Sequence, residues 1–237
     1  MKVDWDRWPV GQYLAENYRQ LHPGDDAVIA HHAAFWRRFG PGELGRTLEF
    51  GAGPNLYPLL LAAGASRCVE AVDCSAACVA YLESQLRDGP DESWLPFYAR
   101  CRELNATLPS DLSQALLRVQ VVHGDAREVP RERYDAASMN FVAESVTEDA
   151  GEFADLCAAF ARAVRPGGHL VAAFMENMAT YRLGDGSVWP AYPVDADAVR
   201  AAFAPHVATM TLTRIDADPT LPDYGYTGMI LLTAHVP

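Results

Sequence analysis

Thr47-Leu48-Glu49-Phe50-Gly51-Ala52-Gly53-Pro54-Asn55-Leu56-Tyr57 decides how the whole chain reads. A short apolar run climbs to an acid, and a glycine-rich turn follows. Leu59-Leu60-Leu61-Ala62-Ala63 then reads as a helix. Strand, Gly-x-Gly and helix together open a nucleotide-binding α/β unit. Gly51 and Gly53 permit backbone angles and a close approach that a Cβ would forbid. The dinucleotide fingerprint calls for another small residue three positions after Gly53, and Leu56 stands there. A pyrophosphate is therefore disfavoured, and the expected ligand is a mononucleoside without phosphates.

Outward from that loop, Cys68-Val69-Glu70-Ala71-Val72-Asp73 is a second strand ending in an acid. An acid there can accept hydrogen bonds from both ribose hydroxyls. Ser75 caps the helix that follows, 76–86. A third strand, Val119-Gln120-Val121-Val122-His123, leads into Gly124-Asp125-Ala126. Asp125 can bond an adenine amino group, and the Ala126 amide can reach a ring nitrogen. Loop, Asp73 and Asp125 together read as the S-adenosylmethionine site of a class I methyltransferase. The fourth strand, 134–141, ends at the crevice where open α/β sheets bind ligands. Asn140, Phe141 and Glu144 are accordingly expected near the transferred methyl group.

The fold expected is Rossmann-like α/β. It has a seven-stranded, mostly parallel sheet with an antiparallel last strand, helices on both faces and an N-terminal helical cap. Residues 1–237 read as a single domain. Residues 1–42 form the cap, with a second helix starting at Asp25-Asp26. Residues 88–117 interrupt the simple alternation as an insertion, a wall or lid. Arg165-Pro166-Gly167-Gly168 reads as the turn into a fifth strand, 169–174. Residues 175–193 should overhang the substrate side, and a hairpin of strands 207–215 and 228–236 closes the chain.

Composition excludes several classes. The net charge of −12 argues against nucleic acid or an anionic membrane as partner. No apolar run reaches membrane-spanning length, and Met1-Lys2-Val3-Asp4-Trp5 lacks signal-peptide character. Five cysteines show no metal-ligand spacing, so no metal is expected, and reduced thiols point to the cytoplasm. His123 and His169 fall on strands and read as structural.

These pieces resemble the nicotinamide, phenylethanolamine and indolethylamine N-methyltransferases. The likeness rests on Tyr13-Leu14-x-x-x-Tyr18, Glu49-Phe50-Gly51-Ala52-Gly53-Pro54-x-x-Tyr57 and Asp73-x-Ser75. The Trp94-containing insertion, Gly124-Asp125, Arg165-Pro166-Gly167-Gly168 and Gly228-Met229-Ile230-Leu231 extend it over nearly the whole chain. The resemblance implies that Tyr13 and Tyr18 clamp the carboxylate end of the cofactor. Gly51 and Gly53 would underlie its methionine part, Tyr57 its carboxylate, Asp73 the ribose, and Asp125 with Ala126 the adenine. Asn55 and Ser75 join this cofactor set, and Asn140 falls beside the methionine part.

The departures bear on substrate. Arylethylamine members hold an amine with acids after the fifth strand and in the last hairpin loop. Here those regions offer Glu176 and, near Tyr224, Asp223. Phe141, Trp189, Tyr192, Tyr224 and Tyr226, with Tyr181 added to the substrate set, instead suggest an aromatic, nearly neutral pocket for an indole, a pyridine or an arylalkylamine. Methyl transfer could go to nitrogen or to an electron-rich indole carbon. Glu176 is the expected proton-accepting or orienting group, with Glu144 and Asp223 behind it. A non-catalytic binding module and a protein methyltransferase are the competing readings.

Overall fold

The computed structural model describes residues 4–218 and 225–237. The chain packs as two compact units, Met1–Ala126 and Arg127–Pro237. Among the described residues no helix is long and apolar enough to cross a membrane.

The first unit opens with a 3-10 turn at Trp5–Arg7, then α1 (Val10–Asn17) and α2 (Pro23–Trp36). α2 begins earlier than the Asp25-Asp26 signal suggests, because Pro23 takes the first helical turn, where its missing N–H costs nothing. Next come β1 (Leu44–Phe50), α3 (Tyr57–Ala65), β2 (Ser66–Asp73) and α4 (Ala76–Arg87). All nine residues of α3 are buried, as a helix apolar on every side requires. The insertion folds into α5 (Leu95–Leu104) and α6 (Leu112–Leu116) before β3 (Val119–His123). Trp94, Phe97 and Cys101 are fully buried within it. The three strands run parallel in the order β3-β2-β1. Phe50 lies beside Val72 and Asp73 beside His123, so the carboxyl ends of all three strands finish level.

The second unit holds β4 (Tyr134–Asn140), α7 (Ala150–Ala163) and β5 (Val164–Glu176). A short hairpin follows, β6 (Thr180–Arg182) with β7 (Val188–Pro190). α8 (Ala196–Phe203), β8 (Thr209–Asp216) and β9 (Gly228–His235) complete it. The strand order is β4-β5-β9-β8. β4 and β5 are parallel, and β9 runs antiparallel to both its neighbours. Three strands in one unit and four in the other give the seven of a class I methyltransferase, mostly parallel with an antiparallel last strand.

One boundary differs from the sequence expectation. Arg165-Pro166-Gly167-Gly168 lies inside β5 as a wide bulge. Tyr134 pairs with Val164 and Ala136 with His169, so β5 advances five residues while β4 advances two. Gly168 is obligatory there. A Cβ would come within 2.7 Å of the Asp135 carbonyl oxygen and 2.3 Å of the Val164 side chain.

Candidate active site

The first unit gathers its polar groups around the glycine loop. Gly51 and Gly53 both hold left-handed backbone angles, φ of 67° and 56°. Asp73 at the end of β2 braces the turn. Its Oδ2 accepts the Gly53 N–H at 2.7 Å, and its Oδ1 accepts the Ser75 N–H at 2.8 Å. The Ser75 hydroxyl in turn caps α4 by accepting the Cys78 N–H. Each Asp73 oxygen keeps a lone pair for another donor. Burial raises the Asp73 pKa, with the two amide hydrogen bonds pulling the other way. The Gly124 N–H donates to the Asp73 carbonyl at 2.9 Å, which draws Asp125 and the buried Ala126 to the same end of the sheet.

On the other side of the loop, tyrosines assemble from separate elements. The Tyr13 and Tyr18 hydroxyls lie 3.2 Å apart. Asn55 donates from Nδ2 to the Tyr18 hydroxyl at 3.0 Å, and its Oδ1 accepts the Tyr57 N–H at 3.2 Å. Asn55 therefore joins the cap to the start of α3. The insertion supplies the backing: Tyr18 meets Trp94 at 5.2 Å between ring centroids, and Phe97 stacks on Tyr57 at 6.2 Å. Burial raises the pKa of Tyr13 to about 12 and that of Tyr18 and Tyr57 further. All three are neutral O–H donors at ordinary pH. The Tyr57 hydroxyl is buried and faces the Asp25 carboxyl.

Asp25, read in the sequence only as a helix start, stands among these tyrosines. Burial lifts its carboxyl to about pKa 7, with Tyr57 acting in the opposite direction. Its neighbour Asp26 pairs with Arg100 of α5 at 2.5 Å, whereas no cation pairs with Asp25 among the described residues. An acid in a first helical turn is an ordinary sequence feature. Nothing local distinguishes the two aspartates, so only the tertiary arrangement singles out Asp25.

In the second unit, β4 ends at half-buried Asn140. Phe141 then takes a left-handed φ of 57°, unusual for a bulky side chain. Its N–H donates to the Ala173 carbonyl at 2.8 Å, which holds the kink in place. Glu144 follows, wholly buried. Its Oε1 accepts the Met175 N–H at 2.8 Å, and its Oε2 has no partner. Burial pushes its pKa up to about 8. At neutral pH the group is a carboxylic acid and can donate its proton in a hydrogen bond. The Glu144 carbonyl accepts the Tyr192 N–H at 2.7 Å, tying that aromatic residue to the same loop. Tyr192 also packs on Phe153 at 5.6 Å between centroids. Tyr181 and Trp189 are half-buried partners across the β6–β7 hairpin.

Glu176 is placed differently from the sequence expectation. It ends β5 with both oxygens occupied. Arg214 Nε donates to them at 2.7 and 2.9 Å, and Thr227 Oγ1 donates to Oε2 at 2.6 Å. Arg214 holds its pKa below the usual carboxylate range. A doubly paired, acidified carboxylate is a weak proton acceptor, and its geometry is that of an ion pair tying β5 to β8. Arg214 lies 38 residues further on, so no local pattern revealed the pair. Asp223 and Tyr224 lie outside the described residues.

No curated protein matches the chain at a significant level. Solved structures share its architecture. The [4+2]-cyclase SpnF superposes with a TM-score of 0.61 at 15% identity, over 97% of this chain and 92% of that one. The DhpI–SAM–HEP complex gives 0.59 at 17% identity, over 97% and 94%. The N-methyltransferase NodS from Bradyrhizobium japonicum, bound to S-adenosyl-L-homocysteine, gives 0.59 at 12% identity, over 99% and 100%. At such identities the likeness establishes the fold. A model of the NNMT/PNMT/TEMT family matches residues 5–235, so the chain belongs to that family of S-adenosylmethionine-dependent methyltransferases.

Proposed function

We propose that the protein transfers a methyl group from S-adenosylmethionine to a small aromatic or heteroaromatic acceptor of the indole, pyridine or arylalkylamine type, within secondary metabolism. The observation that carries the reading is the braced loop. Asp73 holds the Gly53 and Ser75 amides, and the space above Gly53 is open: a Cβ there would meet nothing within 4 Å. Tyr13 and Tyr18, joined to the loop through Asn55, add neutral donors beside it. Both features fit the cofactor. Asp73 would hold the ribose, Asp125 and Ala126 the adenine, and Tyr13, Tyr18 and Tyr57 the methionine carboxylate.

Bound S-adenosylmethionine supplies a methyl group already activated on a sulfonium, with a neutral thioether as leaving group. The residues' task is then alignment and exclusion of water. Phe141, Tyr181, Trp189 and Tyr192 would take the flat acceptor. Glu176, held in its ion pair, is set aside as the orienting group, and the wholly enclosed Glu144 would act from behind the wall, holding the loop after β4 against β5 through the Met175 N–H.

The test incubates the protein with methyl-labelled cofactor and a panel of indoles, pyridines and arylalkylamines. Mass and NMR analysis of the product then places the methyl on nitrogen or carbon. Turnover of at least one flat heteroaromatic acceptor is expected. Cofactor binding with no transfer to any panel member would remove the acceptor assignment.

A further inference from the structure

We propose that His123 is a positioning residue for the cofactor's ribose, acting on Asp73 through the Cys74–Ser75 peptide group. The inference rests on the cofactor reading above and deepens it, because it names what sets the direction of the ribose-holding carboxylate. His123 ends β3 beside Asp73 in the parallel register. Its Nε2 lies 3.2 Å from the Cys74 carbonyl oxygen. A carbonyl only accepts, so Nε2 carries the hydrogen and donates it. That carbonyl belongs to the same planar peptide whose N–H, on Ser75, donates to Asp73 Oδ1 at 2.8 Å. One peptide unit is therefore gripped at both ends, by the imidazole at its oxygen and by the carboxylate at its hydrogen.

The grip has two effects on Asp73. It fixes the peptide plane, and with it the direction from which Oδ1 is held, while the Gly53 N–H at 2.7 Å holds Oδ2. The lone pairs left on the two oxygens then point in set directions. A bond donated to the carbonyl also polarises the peptide and makes its N–H a stronger donor. Burial raises the Asp73 pKa, and the Ser75 amide, the Gly53 amide and His123 each draw it down. Those three favour the ionised carboxylate, the form that accepts from both ribose hydroxyls.

Neither the core nor the following helix requires this histidine. β3 is the edge strand of the sheet, and the His123 ring is exposed. The ends of β2 and β3 are already joined by the Gly124 N–H on the Asp73 carbonyl at 2.9 Å. The start of α4 has its own caps, the Ser75 hydroxyl on the Cys78 N–H and Asp6 Oδ1 on the Ala76 N–H at 2.6 Å. The imidazole instead reaches across to the carbonyl whose peptide bears on Asp73. Its place on a strand reads as structural, and only this contact gives the ring a task.

Calorimetric titration with S-adenosylhomocysteine, and with its analogue lacking both ribose hydroxyls, tests the relay. In the unaltered protein the analogue should bind at least about tenfold more weakly. His123→Ala should weaken S-adenosylhomocysteine about fivefold to tenfold and leave the analogue within about twofold. His123→Gln, whose amide nitrogen reaches the place of Nε2, should bind S-adenosylhomocysteine within about twofold of the unaltered protein. His123→Asn carries the same amide on a shorter stem, reaches only the place of Nδ1, and should bind as weakly as the alanine variant. Equal weakening of both ligands by His123→Ala, weakening of neither, or equal affinities of the glutamine and asparagine variants would overturn the assignment. The comparison of glutamine with asparagine stands even if the alanine variant fails to fold. If the unaltered protein bound neither ligand, the cofactor reading itself would fall. If it bound both equally, the ribose role of Asp73 would fall, and in either case this inference falls with it.

Discussion

Glu144→Gln isolates the cost of a buried acid. The carboxyl is wholly enclosed, with one oxygen on the Met175 amide and the other without a partner, and its pKa in the folded chain is about 8. In the unfolded chain a glutamate titrates near about 4.3. The folded value is the higher one, so the folded state binds the proton more tightly. Its contribution is fully present below about pH 4 and is lost as the pH rises to about 8. At about 1.36 kcal/mol per unit, the loss between about pH 5 and pH 8 is roughly 3.5 kcal/mol. Glutamine keeps the acceptor for Met175 and does not titrate. It also leaves a buried amide donor unpaired, at about 2 kcal/mol. The variant should be about 1 kcal/mol less stable than wild type near pH 5 and roughly 2–3 kcal/mol more stable near pH 8. The two curves should cross at about pH 6. Urea unfolding of both proteins across that range, fitted with a common slope, reads the difference. Parallel curves from pH 5 to pH 8 would refute the reasoning, because they would mean that Glu144 ionises equally in both states.

Three further outcomes are expected. Gly53→Ala strains a left-handed residue by about 1–2 kcal/mol, and its new methyl group projects into open space. A modest fall in melting temperature should accompany loss of S-adenosylhomocysteine binding by calorimetry; unchanged affinity would place the ligand elsewhere. Asp73→Ala removes the acceptor of two amides, so cofactor affinity should drop at least about a hundredfold, with about 1–2 kcal/mol of stability. Retained affinity would show that the ribose is held by another group. Glu176→Gln breaks the contact with Arg214, whose side chain is 45% exposed and can be rehydrated. Stability should fall by about 1–3 kcal/mol while turnover per folded molecule stays the same; a collapse of turnover without unfolding would return Glu176 to the chemistry.

The glycine loop, Asp73 and the strand pattern were legible because each is a local signal. A positive φ favours glycine, a buried parallel strand demands an apolar run, and an acid at a strand end is visible as a letter. The contrast between an ion-paired Glu176 and an enclosed Glu144 was not legible. Both are glutamates just beyond strand ends, and they differ only in what surrounds them. One meets an arginine from a distant strand, and the other meets no donor for its second oxygen. Asp25 was hidden for the same reason, since beside Asp26 it completes an ordinary helix start. The bulge in β5 escaped notice because Arg-Pro-Gly-Gly reads as a turn, and only pairing with β4 and β9 keeps it in the strand.

The Asn55 link has a kinetic consequence. α1 is eight residues long and buries none of them, and an isolated helix of that length is marginal in water. What keeps it folded is the Tyr18 ring against Trp94 and the Asn55 amide that fastens the Tyr18 hydroxyl to the loop. Amide hydrogens in 10–17 should thus exchange fastest among the helices of the first unit, and a ligand contacting Tyr13 and Tyr18 should slow them more than any others. Entry and exit of that ligand would then be timed by the fraying of one short helix, with the sheet beneath it remaining still.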